Sequence, residues 1–134
     1  MLSDVDTRTA VRAVLERFFH LVSRRDRRVL AEFAPGDDVL LVGSDEGEIA
    51  SGPQEIEEFF SRILARPSTF SWKSRRIHVS QAGDIAWFFA EGQMIVESAE
   101  GQEQAPYRIS GVLQRIGDQW LWRQVHGSNP VTSD

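Results

Sequence analysis

The sequence predicts an α+β fold in which a curved antiparallel or mixed sheet wraps around N-terminal helices. Apolar residues recur at steps of three and four in the first part of the chain, which is typical of amphipathic helices. Long runs joined by Gly-Asp turns fill the second half and predict β-hairpins. Helices gathered early and strands gathered late favour helices packed on one face of a sheet. Because long strands must curve to cover those helices, we expect a cone that contains a cavity.

The first predicted helix runs from Ser3 to Arg24. Ser3 and Asp6 have the spacing of a capping box, in which both side chains satisfy free N–H groups of the first turn. Its buried face is a single apolar stripe formed by Val11, Val14, Leu15, Phe18 and Val22.

Two shorter helices are predicted after it. Asp26 is a plausible cap for a short second helix, which Pro35-Gly36 ends. Gly52-Pro53 begins the third helix, because proline suits the first helical position, and Pro67 ends it. The apolar stripe of the third helix consists of Ile56, Phe59, Phe60, Ile63 and Leu64.

The strands begin with the apolar run Val39 to Val42, followed by a turn over 43–47 and a segment, 48–51, that can pair back. A meander of longer strands then follows, with turns at Gly83-Asp84 and Gly117-Asp118. These strands are predicted at Phe70 to Ser80, Ile85 to Glu97, Ala105 to Ile116 and Gln119 to Ser128.

Composition limits the class of protein. A length of 134 residues with 41% hydrophobic residues predicts one domain, 1–134, with a real core. A net charge of -5 argues against binding to nucleic acid or to a membrane surface. The absence of cysteine excludes disulfides and thiolate chemistry, and neither a signal peptide nor a membrane span is visible, so we expect a cytoplasmic protein.

Known cofactor and metal motifs are absent from the sequence. The glycines fall at turns, so they form neither a Walker loop nor a dinucleotide-binding pattern. His20, His78 and His126 are too far apart in sequence to show a metal-ligand spacing. We therefore expect no cofactor and no metal.

The order of elements and the C-terminal hairpin resemble the SnoaL-like subgroup of the nuclear transport factor 2-like superfamily, which includes ketosteroid isomerase and scytalone dehydratase. The resemblance lies in an Arg-x-Ser strand at Tyr107 to Arg115, the turn and tryptophan of Gly117 to Trp120, and the closing His126 to Pro130. Gly83 to Trp87 is similar to the middle strand of that subgroup. The resemblance implies a conical barrel with an internal pocket, a homodimer packed through the outer sheet face, and cofactor-free acid–base chemistry on small hydrophobic molecules.

Alternation of side chains along the last strand suggests candidate catalytic residues. Trp120, Trp122, Gln124, His126 and Ser128 share one face, and the two tryptophans indicate that this face looks inward. We therefore predict His126 as a proton-transfer group, because imidazole titrates near neutral pH. Arg108 is the predicted oxyanion or carboxylate partner, and Glu91 is the orienting acid or alternative base.

Other residues on these strands are predicted to line the ligand pocket, either as aromatic walls and rim or as polar neighbours. They are Trp72, Trp87, Tyr107, Ser110, Trp122 and Gln124. The aromatic residues could equally fill the core or a dimer interface, and His126 could be a buried structural histidine. The predicted function is therefore binding of a small, largely apolar molecule, with isomerase, dehydratase, cyclase or hydrolase chemistry. The alternatives are a non-catalytic binding module and an association domain.

Overall fold

The computed structural model describes residues 4–131. These residues fold into two α-helices, a short 3-10 helix and six strands, numbered here in chain order. The helices are α1 (Asp4–Ser23), the 3-10 helix (Arg27–Glu32) and α2 (Gly52–Leu64), and the strands are β1 (Leu40–Val42), β2 (Ile49–Ser51), β3 (Thr69–Ala82), β4 (Ile85–Ser98), β5 (Gly101–Ile116) and β6 (Gln119–Ser128).

The helices agree with the sequence prediction in number and place, with one difference in type. The second helix is a 3-10 helix, and Asp26 caps it by accepting a hydrogen bond from the backbone N–H of Arg28 at 3.0 Å. Hydrogen bonds from Arg28 hold the pKa of the Asp26 carboxyl at about 2, below its ordinary value of 3.8. The predicted capping residue Ser3 lies outside the described residues.

The strands form one mixed sheet in the order β2-β1-β6-β5-β4-β3. β1 pairs in parallel with β6, and the other neighbouring strands pair antiparallel. The predicted α+β class with a curved sheet covered by helices is confirmed. β5 begins at Gly101 instead of the predicted Ala105, because it pairs with β4 as far as Ser98.

The core lies between the helices and the sheet face that they cover, called here the inner face. The ring of Phe18 on α1 is at its centre and makes edge contacts with Phe33, Phe60 and Trp122, at centroid distances of 6.3, 6.0 and 5.3 Å. The Thr7 hydroxyl donates to Oε1 of Gln81 at 2.5 Å, which anchors α1 to β3. Burial of this aromatic cluster stabilises the packing of the helices on the sheet.

Two β-bulges change which side chains face the helices. Val112 pairs with Gln124 and Leu113 pairs with Trp122, so Arg123 is an extra residue on β6. A similar register shift on β3 leaves Arg75 as the extra residue. Each bulge moves the following residues to the opposite face of the sheet, because side chains in a strand alternate with a period of two.

The Arg123 bulge is held by three hydrogen bonds from its guanidinium. Nε donates to Oε1 of Gln114 at 2.8 Å, and Nη1 donates to the carbonyl oxygens of Pro35 and Asp38 at 3.0 and 3.1 Å. These bonds join β6 to β5 and to the segment that leads into β1. The bulge is therefore a fixed part of the fold.

In the described part of the chain, neither helix has the length and hydropathy that a membrane crossing requires.

Candidate functional site

A cavity of about 360 Å³ lies between the helices and the inner face of the sheet. Its depth is apolar, because α1 and α2 present their buried stripes to it and the strands present their inward side chains. The apolar lining consists of Phe18, Phe19, Val22, Leu41, Val42, Phe59, Phe60, Ile63, Phe70, Met94, Val96, Ala105, Ile109 and Val125. A pocket of this size and character fits a small, largely apolar molecule.

The polar residues of the cavity come from its rim. They are supplied by the turn between β1 and β2, the segment after α2, the first part of β5 and the segment after β6. The polar side chains of the rim are Ser44, Asp45, Glu48, Arg66, Glu103, Gln104, Tyr107 and Asn129. The cavity therefore has an apolar interior and a polar end.

Glu48 is directed to the rim by the turn between β1 and β2. The Gly43 N–H donates to the Glu48 carbonyl at 2.8 Å, and the Asp45 N–H donates to Oε1 of Glu48 at 2.9 Å. A Cβ at Gly43 would lie 2.9 Å from the Cβ of Glu48, so glycine is needed for this close approach. The Glu48 side chain thus bends back over the turn, and the hydrogen bond from Asp45 fixes its carboxylate in place.

The Arg66 guanidinium is the cation of the rim. Its Nη2 lies 3.9 Å from Oε2 of Glu48, so it faces a carboxylate across the opening. The backbone carbonyl of Arg66 accepts a hydrogen bond from Nη2 of Arg25 at 2.8 Å, which ties the end of α2 to the turn after α1. The rim is thereby linked to both helices.

Tyr107, the single tyrosine of the chain, lies where the apolar lining meets the rim. Its ring packs over Gly127, and a Cβ at that position would lie 2.7 Å from the ring atom Cε2. Trp72 supports the other side of the phenol with an edge contact at a centroid distance of 6.4 Å. The phenol is therefore held in one place by close packing.

The surroundings of Tyr107 keep it protonated. Burial is the main cause that raises the pKa of its phenol above 10.0, and the carboxylates of Glu48 and Asp45 raise it further. A hydrogen bond with Ser44 acts in the opposite direction. A neutral phenol at the edge of an apolar cavity can donate a hydrogen bond to an oxygen atom of a ligand.

The predicted catalytic residues lie on the other side of the sheet, called here the outer face. The prediction that His126 points inward was wrong, because the bulge at Arg123 places Val125 and Gly127 on the inner face and exposes His126. Glu91 and Arg108 also face outward, since their neighbours Ala90 and Ile109 take the inner positions.

These outer-face residues are neighbours of one another. The register pairs Glu91 with Arg108, and it pairs His126 with Ser110. The carboxylate of Glu91 forms an ion pair with Arg76 on β3, with Oε1 3.1 Å from Nη2. The three predicted catalytic residues therefore lie on neighbouring strands of the outer face and do not line the cavity.

The predicted ligand-binding residues divide into two groups. Trp87, Ser110 and Gln124 lie on the outer face, so the prediction that they line the pocket was wrong. The inner face of β4 carries Phe88 between the small residues Ala86 and Ala90, and the neighbouring Trp87 is turned outward.

Three predicted residues do lie on the inner face. Tyr107 lines the cavity, and Trp72 stands behind it, stacked on Phe19 at 5.8 Å. Trp122 is fully buried in the core against Phe18 and Phe88, away from the lining. The indole N–H of Trp122 has no hydrogen-bond partner among the described residues.

Ser44, Asp45, Glu48 and Arg66 were missed by the sequence analysis. They lie in a turn and after a helix end, where side chains follow no period that marks an inward face. The short apolar strand before this turn could have indicated the rim residues, because a polar turn that follows a buried strand lies at the edge of the core. Within residues 4–131, no group of three or more histidine or acidic side chains could hold a metal ion.

Comparison with known proteins identifies a family model and several solved structures that match. The model for the SnoaL-like domain matches residues 11–132. No curated protein matches the chain.

The solved structures share the fold at low sequence identity. A candidate dehydratase of the nuclear transport factor 2-like family from Streptomyces avermitilis has a TM-score of 0.83 and 19% identity, covering 96% of this chain and 99% of its own. A candidate scytalone dehydratase from Novosphingobium aromaticivorans has a TM-score of 0.82 and 11% identity, and the match covers 98% of this chain and 89% of its own. A nuclear transport factor 2-like protein of unknown function from Pseudomonas putida has a TM-score of 0.78 and 18% identity, and the match covers 96% of this chain and 90% of its own.

Proposed function

Since the chain belongs to the SnoaL-like domain family, we propose that it binds a small, largely apolar molecule in the cavity between its helices and its sheet. The observation that carries this proposal is the division of the cavity into an apolar depth and a polar rim. The apolar part of a ligand displaces water from the depth, and its polar end reaches the rim. Tyr107 contacts that end and forms a hydrogen bond with it through the phenol hydroxyl, which can both donate and accept.

Binding can be tested with an uncharged fluorescent probe, N-phenylnaphthylamine, whose emission rises in an apolar site. Val96→Phe fills the cavity from its lining and is expected to abolish the fluorescence increase. Ile95→Phe is the matched control, because Ile95 is the preceding residue of the same strand and faces outward. Equal binding by both variants would show that the probe does not occupy the cavity.

A second candidate function is cofactor-free dehydration of the bound molecule. It is favoured by the presence of a protonated phenol, Tyr107, and a fixed carboxylate, Glu48, at one rim. Glu48 would take a proton from the carbon next to the ligand's carbonyl group. The bond between the following carbon and its hydroxyl oxygen would then break, and Tyr107 would protonate the departing hydroxide to give water. The proton held by Glu48 then returns to the tyrosinate through solvent.

This candidate is tested by incubating the protein with a panel of small aromatic β-hydroxyketones and following loss of water by mass spectrometry. Turnover by the wild type that is lost in both Tyr107→Phe and Glu48→Gln supports dehydration. Binding without turnover supports a carrier or sensor of the ligand.

We propose further that a second copy of the chain covers the outer face. Trp87 and Phe89 are 46% and 36% exposed there, which is unusual for large aromatic side chains. β3–β6 present a face of about 19 Å by 40 Å, on the order of 700 Å², close to what one partner contributes to a stable interface. Glu91 and Arg108 lie side by side on this face, so a two-fold axis between them would bring opposite charges together.

A further inference from the structure

The charges at the rim of the cavity are unequal. Among the described residues that line it, three carry a carboxylate and one carries a guanidinium. Arg66 already faces Glu48 at 3.9 Å, which leaves the carboxylates of Asp45 and Glu103 as the excess charge. The polar end of the cavity is therefore negative.

The excess charge comes from two separate parts of the fold. Asp45 belongs to the turn between β1 and β2, whereas Glu103 is on β5, paired with the cavity-lining residue Val96. Both residues line the same cavity, although they belong to different parts of the fold, and its apolar space is about 360 Å³. The negative potential is thus a property of the cavity mouth rather than of one acidic loop.

The same potential acts on the group that we place against the ligand. Asp45 and Glu48 each contribute to the raised pKa of Tyr107, although burial is the larger cause. A ligand atom in contact with the Tyr107 hydroxyl experiences the same field. Such a field stabilises a positive charge and repels a negative one.

We propose, on the basis of the binding function above, that the ligands of this cavity are apolar molecules that carry a protonated amine at their polar end. The ammonium group would lie among Asp45, Glu103 and the phenol oxygen of Tyr107, which can accept its hydrogen bond. A ligand carboxylate in that place would lose its hydration and would lie near other negative charges. The guanidinium of Arg66 would not offset this cost, because it already faces Glu48. The cavity therefore selects for cationic over anionic ligands that share one apolar body.

The test uses three probes with one naphthalene body: naphthylmethylamine, naphthylmethanol and naphthoate. Each displaces N-phenylnaphthylamine from the wild-type protein, and the inhibition constants are compared at low ionic strength and neutral pH. We expect the amine to bind about tenfold or more tightly than the carboxylate, with the alcohol between them. Equal or tighter binding of the carboxylate would overturn the proposal.

Two variants separate the local field from the net charge of the protein. Glu103→Gln removes one carboxylate of the rim and is expected to reduce the preference for the amine at least threefold, on the order of 0.7 kcal/mol. Glu97→Gln removes the same charge on β4, at a residue whose side chain accepts a hydrogen bond from Gln102 and does not line the cavity. An equal loss of preference in both variants would also overturn the proposal.

Failure of the binding function gives a different result. If N-phenylnaphthylamine binds neither the wild type nor Val96→Phe, the cavity is not a binding site. If the neutral probe binds the wild type and the three naphthalene compounds displace it without preference, the binding function stands and the charge selection is wrong.

Discussion

Tyr107 lies directly over Gly127, and the lack of a side chain at Gly127 fixes where the phenol sits. An added Cβ would come within 2.7 Å of Cε2 and Cζ of the ring, closer than real Cβ atoms approach other heavy atoms. Gly127 itself is buried on the inner face of β6, next to the lining residue Val125. The position of the Tyr107 hydroxyl, which we assign to ligand contact, therefore depends on the glycine beneath the ring.

Gly127→Ala is expected to displace the Tyr107 ring toward the opening. The substitution should destabilise the fold by about 1–3 kcal/mol, because the added methyl group overpacks a close contact. It should also weaken binding of N-phenylnaphthylamine, which distinguishes displacement of the phenol from simple destabilisation. Ser128→Ala, next to it on the opposite face, serves as the control and should change stability by less than about 0.5 kcal/mol.

The phenol of Tyr107 is expected to titrate above its ordinary pKa of 10.0 in the folded protein and to return to it in denaturant. Tyrosinate absorbance reports this group alone, because the chain has one tyrosine. Asp45→Asn should lower the pKa, since it removes a negative charge, whereas Ser44→Ala should raise it, since it removes a hydrogen bond to the phenol. Shifts in the reverse directions would contradict the environment described for Tyr107.

The raised pKa of Tyr107 has a consequence for stability at high pH. The folded state holds the proton more tightly than the unfolded state, so the stabilisation is fully present below pH 10.0 and is lost as pH rises through the folded pKa. The free energy of unfolding of the wild type should thus fall relative to that of Tyr107→Phe above pH 10.0. Urea unfolding of both proteins at neutral pH and above this value measures the difference.

The sequence predicts the order of elements well and the orientation of side chains poorly, and on the last strand a bulge explains the contrast. Helix periodicity and Gly-Asp turns are local signals, so α2 and the hairpin from β5 to β6 are visible in the chain itself. The bulge at Arg123 depends on carbonyl oxygens of Pro35 and Asp38, which are far away in sequence. Alternation counted from Trp122 therefore assigns His126 to the wrong face.

The proposed homodimer predicts a mass near twice 15.2 kDa in light scattering at micromolar concentration. Phe89→Glu should shift the mass to that of one chain, because it places a charge in the centre of the outer face. Glu46→Arg, in the exposed turn between β1 and β2, is a control that changes charge away from this face and should leave the mass unchanged. A wild-type mass of 15.2 kDa would disprove the dimer.

The roles of the two sheet faces can be separated by comparing His126→Ala with Tyr107→Phe. His126 is exposed on the outer face, so its loss should leave binding of N-phenylnaphthylamine unchanged and alter stability by less than about 0.5 kcal/mol in the monomer. Tyr107→Phe keeps the ring over Gly127 and removes only the hydroxyl. Because the hydroxyl of naphthylmethanol needs a polar partner, this variant should weaken the binding of naphthylmethanol several-fold more than the binding of N-phenylnaphthylamine. If His126→Ala abolished binding while Tyr107→Phe did not, the ligand would have to occupy the outer face, and the cavity would have no part in recognition.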